Sequence, residues 1–429
     1  MPGSSTLGAI LNTLFERRPF ARRSSDNRSL TELCEAILAE RAEASTLELA
    51  GAALGRYAAM PAEERTAFFA WLNESLDIDG AAVAELATAY AADPAPETYR
   101  ALIRASESRR LELFRRLNQV PGGTAELVRM RADLLALLHD RPELGRTDQD
   151  FVHLLRSWFN RGFLVLRRIT WDSPASILEK IIAYEAVHAI RNWDDLRRRL
   201  EPQDRRLFAF FHPAMPAEPL IFVEVALMRG VPSAITEVLD EEREVLDPAQ
   251  ADTAVFYSIS NCQKGLSGIS FGNSLIKQVV RDLAAELPHI RSFVTLSPIP
   301  GLSAWLQREG LSQAAADAER LRRLTAHYLL NVKTADGRPL DPVARFHLGN
   351  GASVHAIHLD ADPSEQGRAR SHGVMVNYLY DLRRIGAAQD AFERSGEVAA
   401  SPAVRALARQ AKPLLAPPEA EETKEGARP

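Results

Sequence analysis

Residues 254–301 constrain the fold most, because they predict a strand, a glycine loop, a helix and a second strand in succession. An apolar run at 254–260 precedes a loop with three glycines at 261–272, and an amphipathic segment follows at 273–287. The second apolar run ends at Ser297, just before a turn with two prolines. Backbone N–H groups of such a loop at a helix N-terminus favour phosphate oxygens. The block therefore predicts an α/β region with a phosphate-bearing ligand over the helix and the Ser297 hydroxyl at a strand tip.

The residues before about position 160 have a different pattern. Apolar residues such as Leu111, Phe114 and Leu117 recur at helical spacing, and proline and glycine clusters separate the apolar segments. We predict a bundle of roughly six to eight helices over residues 5–155. No residues in it have the spacing of metal ligands or a nucleophile, so its simplest role is a scaffold or an oligomerisation surface.

Strands and helices alternate after position 160, which predicts a mixed sheet and an α+β fold class. The predicted strands include 163–166, 206–211, 220–227 and 353–359. The predicted division of the chain is a helical domain at 1–158, a mixed α/β catalytic domain at 159–415, and a tail at 416–429. That tail is rich in proline and glutamate, so we predict that it is disordered.

Composition excludes several classes of protein. The formal net charge is −5, whereas a general nucleic-acid binder needs a strongly basic face. Cys34 and Cys262 are the two cysteines, which is too few for a disulfide scaffold or a cysteine zinc site and fits a reducing cytoplasm. No apolar run approaches the roughly 20 residues that span a bilayer. We therefore expect a cytoplasmic protein without nucleic-acid or membrane partners.

The two candidate catalytic residues are ambiguous when they are judged locally. Ser297 precedes Pro298-Ile299-Pro300, where it could cap a turn, and the Gly-x-Ser-x-Gly pattern of hydrolases is absent. His347 lies near a predicted helix end, where a histidine is often structural. His355 and His358 point to opposite faces of a predicted strand, so we do not expect a metal site. The glycine loop likewise lacks the Walker and dinucleotide patterns and could simply connect a strand to a helix.

Several separate blocks, taken together and in order, resemble the malonyl-CoA decarboxylase family. The principal blocks are FYSIS at 256–260, QKGLSG at 263–268, LSPIPG at 296–301 and FHLGNGA at 346–352. Further matches are RGFL at 161–164, ITW at 169–171, EAVH at 185–188, EPL at 218–220 and NYLY at 377–380. The resemblance covers residues 150–385 strongly and the helical part weakly.

The resemblance implies a helical domain used in oligomer contacts, followed by an N-acetyltransferase-like catalytic domain. It also implies that the helix after the fourth strand receives the pyrophosphate of coenzyme A. Ser267 and Ser270 stand where that superfamily has Arg or Gln and a first glycine, so this loop departs from the usual pattern. The implied substrate-binding residues are Ser267, Gly268, Ile269, Ser270, Phe271, Gly272, Asn273 and Tyr380.

The family's catalytic pair corresponds to Ser297 and His347. The implied reaction is decarboxylation of malonyl-CoA to acetyl-CoA in fatty acid metabolism, with His347 protonating the α carbon and Ser297 assisting. Coenzyme A is part of the substrate, so no separate cofactor and no metal are expected. The implied assembly is a homo-oligomer, a dimer or a tetramer. Two alternatives stay open: an acyl-CoA-dependent acyltransferase with an amine acceptor, and a non-enzymatic adaptor that binds coenzyme A.

Overall fold

The first part of the chain is helical, and the sheet begins only after residue 160. The structure is a computed structural model that describes residues 26–269 and 275–415, so the predicted tail lies outside the described residues. The described chain divides into two units. The helical unit holds residues 26–167, 209–221 and 261–269, and the sheet unit holds 168–208, 222–260 and 275–415.

The helical unit has eight α-helices within its described residues. The first helix begins at a capping box, in which the Ser29 hydroxyl and the Glu32 carboxylate each accept a backbone N–H of the other residue. The helices are α1 (Leu30–Ala39), α2 (Glu43–Ala58), α3 (Ala62–Ser75), α4 (Gly80–Ala92), α5 (Pro96–Ala105), α6 (Arg109–Asn118), α7 (Gly123–Leu137) and α8 (Gly145–Trp158).

The apolar faces of these helices form one core. Leu111, Phe114 and Leu117 are all buried in it, as their helical spacing predicted. Phe114 stacks on Phe151 of α8 with a ring-centroid distance of 4.1 Å. Ile269, from the far end of the glycine loop, is buried in the same core, so this core also holds the loop.

The sheet has eight strands: β1 (Val165–Ile169), β2 (Arg205–Phe211), β3 (Ile221–Met228), β4 (Thr253–Asn261), β5 (Ser292–Thr295), β6 (Ser297–Pro298), β7 (Ser353–His358) and β8 (Met375–Leu379). Their order is β1-β2-β3-β4-β5-β8-β6, and β7 also pairs with β8. The described helices of this part are α9 (Ala175–Tyr184), α10 (Trp193–Leu200), α11 (Ile235–Leu239), α12 (Leu275–Glu286), α13 (Leu302–Arg308), α14 (Ala318–Asn331), α15 (Pro342–Gly349), α16 (Glu365–Ser371), α17 (Ile385–Ser395) and α18 (Pro402–Gln410).

Strands β4 and β5 are parallel, and α12 connects them. Thr253 pairs with Ser292 and Phe256 pairs with Thr295. This is the predicted strand, loop, helix and strand, and it agrees with the N-acetyltransferase-like arrangement that the resemblance implies. The predicted α+β class, with an all-helical region before a mixed sheet, is confirmed.

The strand end near Ser297 differs from the prediction. The second apolar run was predicted to end at Ser297, but β5 ends at Thr295 and Ser297 begins the short strand β6. The Leu296 N–H donates to Phe256 on β4, whereas Ser297 pairs with Val376 on β8. The chain thus leaves β4 at this point but continues along β8 in the same antiparallel register as β5. Pro298 and Pro300 limit β6 to two residues because they lack an N–H group.

Among the described residues, no helix is both long enough and apolar enough to span a membrane.

Candidate active site

Helix α15 carries His347 in its last turn, and its N-terminus is fixed by Asp341. The Asp341 carboxylate accepts the Ala344 N–H at 2.9 Å, and Pro342 occupies the first turn, which are the expected start signals of a helix. Burial raises the pKa of Asp341 to about 6. Gly351 follows the helix with φ +83, and a Cβ there would lie 2.2 Å from the backbone oxygen of Ile385. The helix end is therefore held in place on both sides of His347.

Ser297 and His347 meet, although 50 residues separate them in the sequence. The Ser297 Oγ lies 3.1 Å from His347 Nε2. Ser297 is 5% exposed and His347 is 2% exposed, so bulk water does not compete with this contact. The structure thus brings together the two residues to which the sequence analysis assigned catalysis.

Two tyrosines of the last sheet segment complete the surroundings of His347. The Tyr380 hydroxyl lies 2.8 Å from His347 Nδ1, so both imidazole nitrogens have a hydroxyl partner. The Tyr378 ring stacks on the imidazole with a centroid distance of 4.5 Å. Tyr380 is the third predicted site residue that lies in this cluster.

Burial favours the neutral forms of His347 and Tyr380. Desolvation lowers the pKa of His347 to about 3, and it raises the pKa of Tyr380 well above its usual value. Both groups are therefore neutral near pH 7. The hydrogen-bond partners of His347 in the described chain are hydroxyl groups rather than carboxylates. An anionic ligand placed beside the imidazole would favour its protonated form and would raise its pKa again.

The sequence analysis missed Thr295. The Ser297 hydroxyl donates to Thr295 Oγ1 at 2.8 Å, and the Tyr378 N–H donates to the same oxygen at 3.1 Å. A signal was present, since residues two apart on a strand point to the same face. Thr295 and Ser297 were both visible in the second apolar run, but only the serine was considered.

The described part of the glycine loop packs within the helical unit. Arg131 Nη1 donates to the backbone oxygens of Gly265 and Ser267 at 2.7 and 2.8 Å, and Arg131 Nε donates to Asp148 at 2.8 Å. A Cβ at Gly265 would lie 1.8 Å from the backbone oxygen of Val128, so this position requires glycine. The loop is thus held by one buried arginine and by one close approach to α7.

The predicted loop contacts fall into two groups. Ser267 and Gly268 are exposed, and the N–H groups of Ser267 and Ile269 donate to Lys264 and Leu266 inside the loop. These two N–H groups therefore already have partners in this conformation. The other predicted contacts, Ser270, Phe271, Gly272 and Asn273, lie outside the described residues.

Across residues 26–269 and 275–415, no group of three or more His, Cys, Asp or Glu side chains is arranged to hold a metal ion.

Comparison with known proteins identifies similar chains. The malonyl-CoA decarboxylase C-terminal domain profile matches residues 162–319 and 311–417, and the N-terminal domain profile matches residues 76–159. The mitochondrial malonyl-CoA decarboxylase of Anser anser anser is 37% identical over 349 residues, which are 70% of this chain and 69% of the relative. The corresponding protein of Rattus norvegicus is 35% identical over 70% of each chain.

Two crystal structures match the chain along most of its length. Malonyl-CoA decarboxylase from Rhodopseudomonas palustris is 49% identical with a TM-score of 0.84, and the match covers 88% of this chain and 98% of that chain. The structure from Agrobacterium vitis is also 49% identical, with a TM-score of 0.83 and coverage of 88% and 99%.

Proposed function

Because the chain belongs to the malonyl-CoA decarboxylase family, we propose that it converts malonyl-CoA to acetyl-CoA and CO2. The family makes it a carboxy-lyase. The observation that most supports the proposal is the buried contact between Ser297 and His347, with Tyr380 on the other imidazole nitrogen. These three residues form a buried, uncharged cluster of hydrogen-bonding groups, which suits a substrate that brings its own negative charge.

The chemical problem is the electron pair that remains when CO2 leaves. The bond between the α carbon and the carboxylate breaks, CO2 departs, and the electron pair passes from the α carbon to the thioester oxygen as an enolate. A hydrogen-bond donor at that oxygen lowers such barriers by about 3–4 kcal/mol. The thioester itself holds the electron pair, so the proposal needs no separate cofactor or metal.

His347 is the residue that we assign as the proton donor to the α carbon. Burial lowers its pKa to about 3, so the imidazole is neutral near pH 7. The malonyl carboxylate would favour the imidazolium form, which can then donate to the enolate carbon after CO2 has left. Ser297 lies beside Nε2, where it can orient the carboxylate or relay that proton.

We propose that coenzyme A binds to the part of the glycine loop that begins at Ser267. The exposed Ser267 hydroxyl and the exposed Gly268 backbone are the described groups that support a contact with the pyrophosphate.

A homo-oligomer through the helical unit is part of the proposal. Helices α4 and α5 pack on each other but contain no buried residue, and Tyr99 and Ile103 are 51% and 47% exposed. A second copy of the chain, in a dimer or tetramer, could cover this apolar surface. Light scattering should give a multiple of 47.4 kDa, and a Tyr99→Lys/Ile103→Lys variant should have a lower mass. An unchanged mass for that variant would move the interface elsewhere.

The location inside the cell is proposed to be cytoplasmic. Cys34 and Cys262 are buried and form no disulfide bond, which fits a reducing compartment. The curated relatives are described as mitochondrial, so fractionation of cells that express the full chain distinguishes the two locations.

The test is an incubation of purified protein with malonyl-CoA, with and without an amine acceptor. The proposal predicts acetyl-CoA and CO2 in equal amounts without the acceptor, detected by mass spectrometry. Turnover only with the amine would indicate an acyltransferase. Binding of coenzyme A without turnover would indicate an adaptor.

A further inference from the structure

The buried hydroxyl group of Thr295 extends the hydrogen-bonded cluster of Tyr380, His347 and Ser297. The Ser297 hydroxyl donates to Thr295 Oγ1 at 2.8 Å, and Thr295 is fully buried. A serine hydroxyl carries a single hydrogen. Because that hydrogen points to Thr295, the contact of 3.1 Å with His347 Nε2 requires the imidazole to be the donor.

The hydrogen bond at the second imidazole nitrogen is consistent with Nε2 as the donor. A neutral imidazole has one N–H donor and one acceptor nitrogen. With the hydrogen on Nε2, the Nδ1 atom of His347 accepts from the Tyr380 hydroxyl, which lies 2.8 Å away. The hydrogen bonds then run in one direction, from Tyr380 through His347 and Ser297 to Thr295.

Thr295 is itself held by the neighbouring strand β8. Its Oγ1 accepts the Tyr378 N–H at 3.1 Å, and the Asn377 side-chain amide donates to the Thr295 backbone oxygen at 2.8 Å. A hydroxyl oxygen has two lone pairs. The Tyr378 N–H occupies one of them, so the other is directed to the Ser297 hydroxyl.

We propose that Thr295 is a positioning residue that keeps the Ser297 hydroxyl directed away from His347 and thereby holds His347 as the Nε2–H tautomer. The proposal rests on the proposed function of Ser297 and His347. Without the Thr295 hydroxyl, Ser297 is free to donate to Nε2. The imidazole hydrogen then moves to Nδ1, on the Tyr380 side and away from Ser297.

The first test compares Thr295→Val with Thr295→Ser. Valine has nearly the same shape but lacks the hydroxyl, and serine keeps it. We expect Thr295→Val to lower kcat about tenfold, the effect of one hydrogen bond, while the Kd for coenzyme A stays within about twofold. Thr295→Ser should recover most of the kcat. Wild-type kcat for Thr295→Val would overturn the proposal.

A double-variant cycle separates positioning from general support of the strands. If Thr295 acts through Ser297, Thr295→Val should add little to the loss in a Ser297→Ala protein. A structural role predicts instead that Thr295→Val lowers kcat by the same factor in both backgrounds. That second result would overturn the proposal.

A spectroscopic test needs no active enzyme and compares the wild type with Thr295→Val. In ¹⁵N-histidine-labelled wild-type protein near pH 7, the His347 signals, assigned by their loss in His347→Gln, should show a protonated Nε2 and an unprotonated Nδ1. The opposite tautomer would overturn the proposal. In Thr295→Val the proposal predicts that the hydrogen moves to Nδ1, and an unchanged tautomer in that variant would overturn it. If the wild type forms no acetyl-CoA, the proposed function fails, whereas the tautomers of the two proteins still test the role of Thr295.

Discussion

The buried clusters around Arg131 and His347 differ in charge. Arg131 in the helical unit is paired with Asp148 and donates to two loop carbonyl oxygens. His347 in the sheet unit contacts the neutral hydroxyls of Ser297 and Tyr380. The comparison indicates two uses of buried polar groups. A buried charge that is fully paired holds a loop in place, whereas a buried titratable group without a counter-charge stays neutral near pH 7.

The strongest test of this comparison is His347→Ala. We expect kcat to fall by about 10²–10⁴-fold, with a modest change in the affinity for coenzyme A, because the proton donor is lost while the binding loop is intact. The measurement is steady-state decarboxylation together with calorimetric binding of coenzyme A. His289→Ala, which changes an exposed histidine on another loop, is the control and should be near normal. Near-normal turnover by His347→Ala would refute the assigned role.

The next largest effect is expected in the cluster around Arg131. Arg131→Leu should lower the free energy of unfolding by about 3 kcal/mol, because it leaves Asp148 and two loop carbonyl oxygens without their partner. Urea unfolding measures this. Arg129→Leu removes an exposed ion pair from the same helix and should change stability by less than about 1 kcal/mol. Equal losses for the two variants would show that burial does not distinguish these arginines.

Ser297→Ala should have a smaller effect on catalysis than His347→Ala. We expect kcat to fall by about 10–10²-fold, since the alanine variant loses a hydroxyl but keeps the imidazole. Tyr380→Phe should lower kcat less again, because its hydroxyl contacts Nδ1, whereas Ser297 contacts Nε2, the nitrogen through which we propose that the proton is transferred. Wild-type turnover by Ser297→Ala with intact coenzyme A binding would exclude a chemical role for this serine.

The last expected effect is a difference in stability at acid pH, which needs no catalytic activity. The folded pKa of His347 is about 3 and the unfolded value is 6.5, so the unfolded state binds more protons between these values. Stability is therefore complete above pH 6.5 and falls as the pH decreases toward 3. Between pH 7 and 5 the wild type should lose about 2 kcal/mol more than His347→Gln, as urea midpoints at each pH can show. His188, whose pKa is lowered to about 4, is present in both proteins and cancels. Parallel pH profiles would contradict the neutral, buried state of His347.

Local patterns predicted the fold well where side chains repeat at regular spacing. The strands predicted at 206–211 and 220–227 appear as Arg205–Phe211 and Ile221–Met228. Asp341-Pro342 is a typical helix-start pattern, and Asp341 does cap α15. These features depend on neighbouring residues, so the sequence contains the information directly.

Predictions from local sequence patterns were wrong or incomplete where a side chain could bond with more than one partner. Ser173 before Pro174 has the pattern of a helix cap for α9, but its hydroxyl accepts the Thr170 N–H and the helix begins at Ala175. Thr295 was not predicted as a site residue because its hydrogen bond with Tyr378 depends on the register of β8, which is about 80 residues away along the chain. The pairing of Ser297 with Val376 sets that register, and no local spacing encodes it.

The most direct test of the central claim is the product formed from malonyl-CoA in D2O without an acceptor. The wild type should release CO2 and form acetyl-CoA with one solvent deuterium in its methyl group, and a Ser297→Ala/His347→Ala variant should form it at least about 10²-fold more slowly. Mass spectrometry of a short reaction gives both the product and its label. Absence of acetyl-CoA, or equal rates for the wild type and the double variant, would contradict the account.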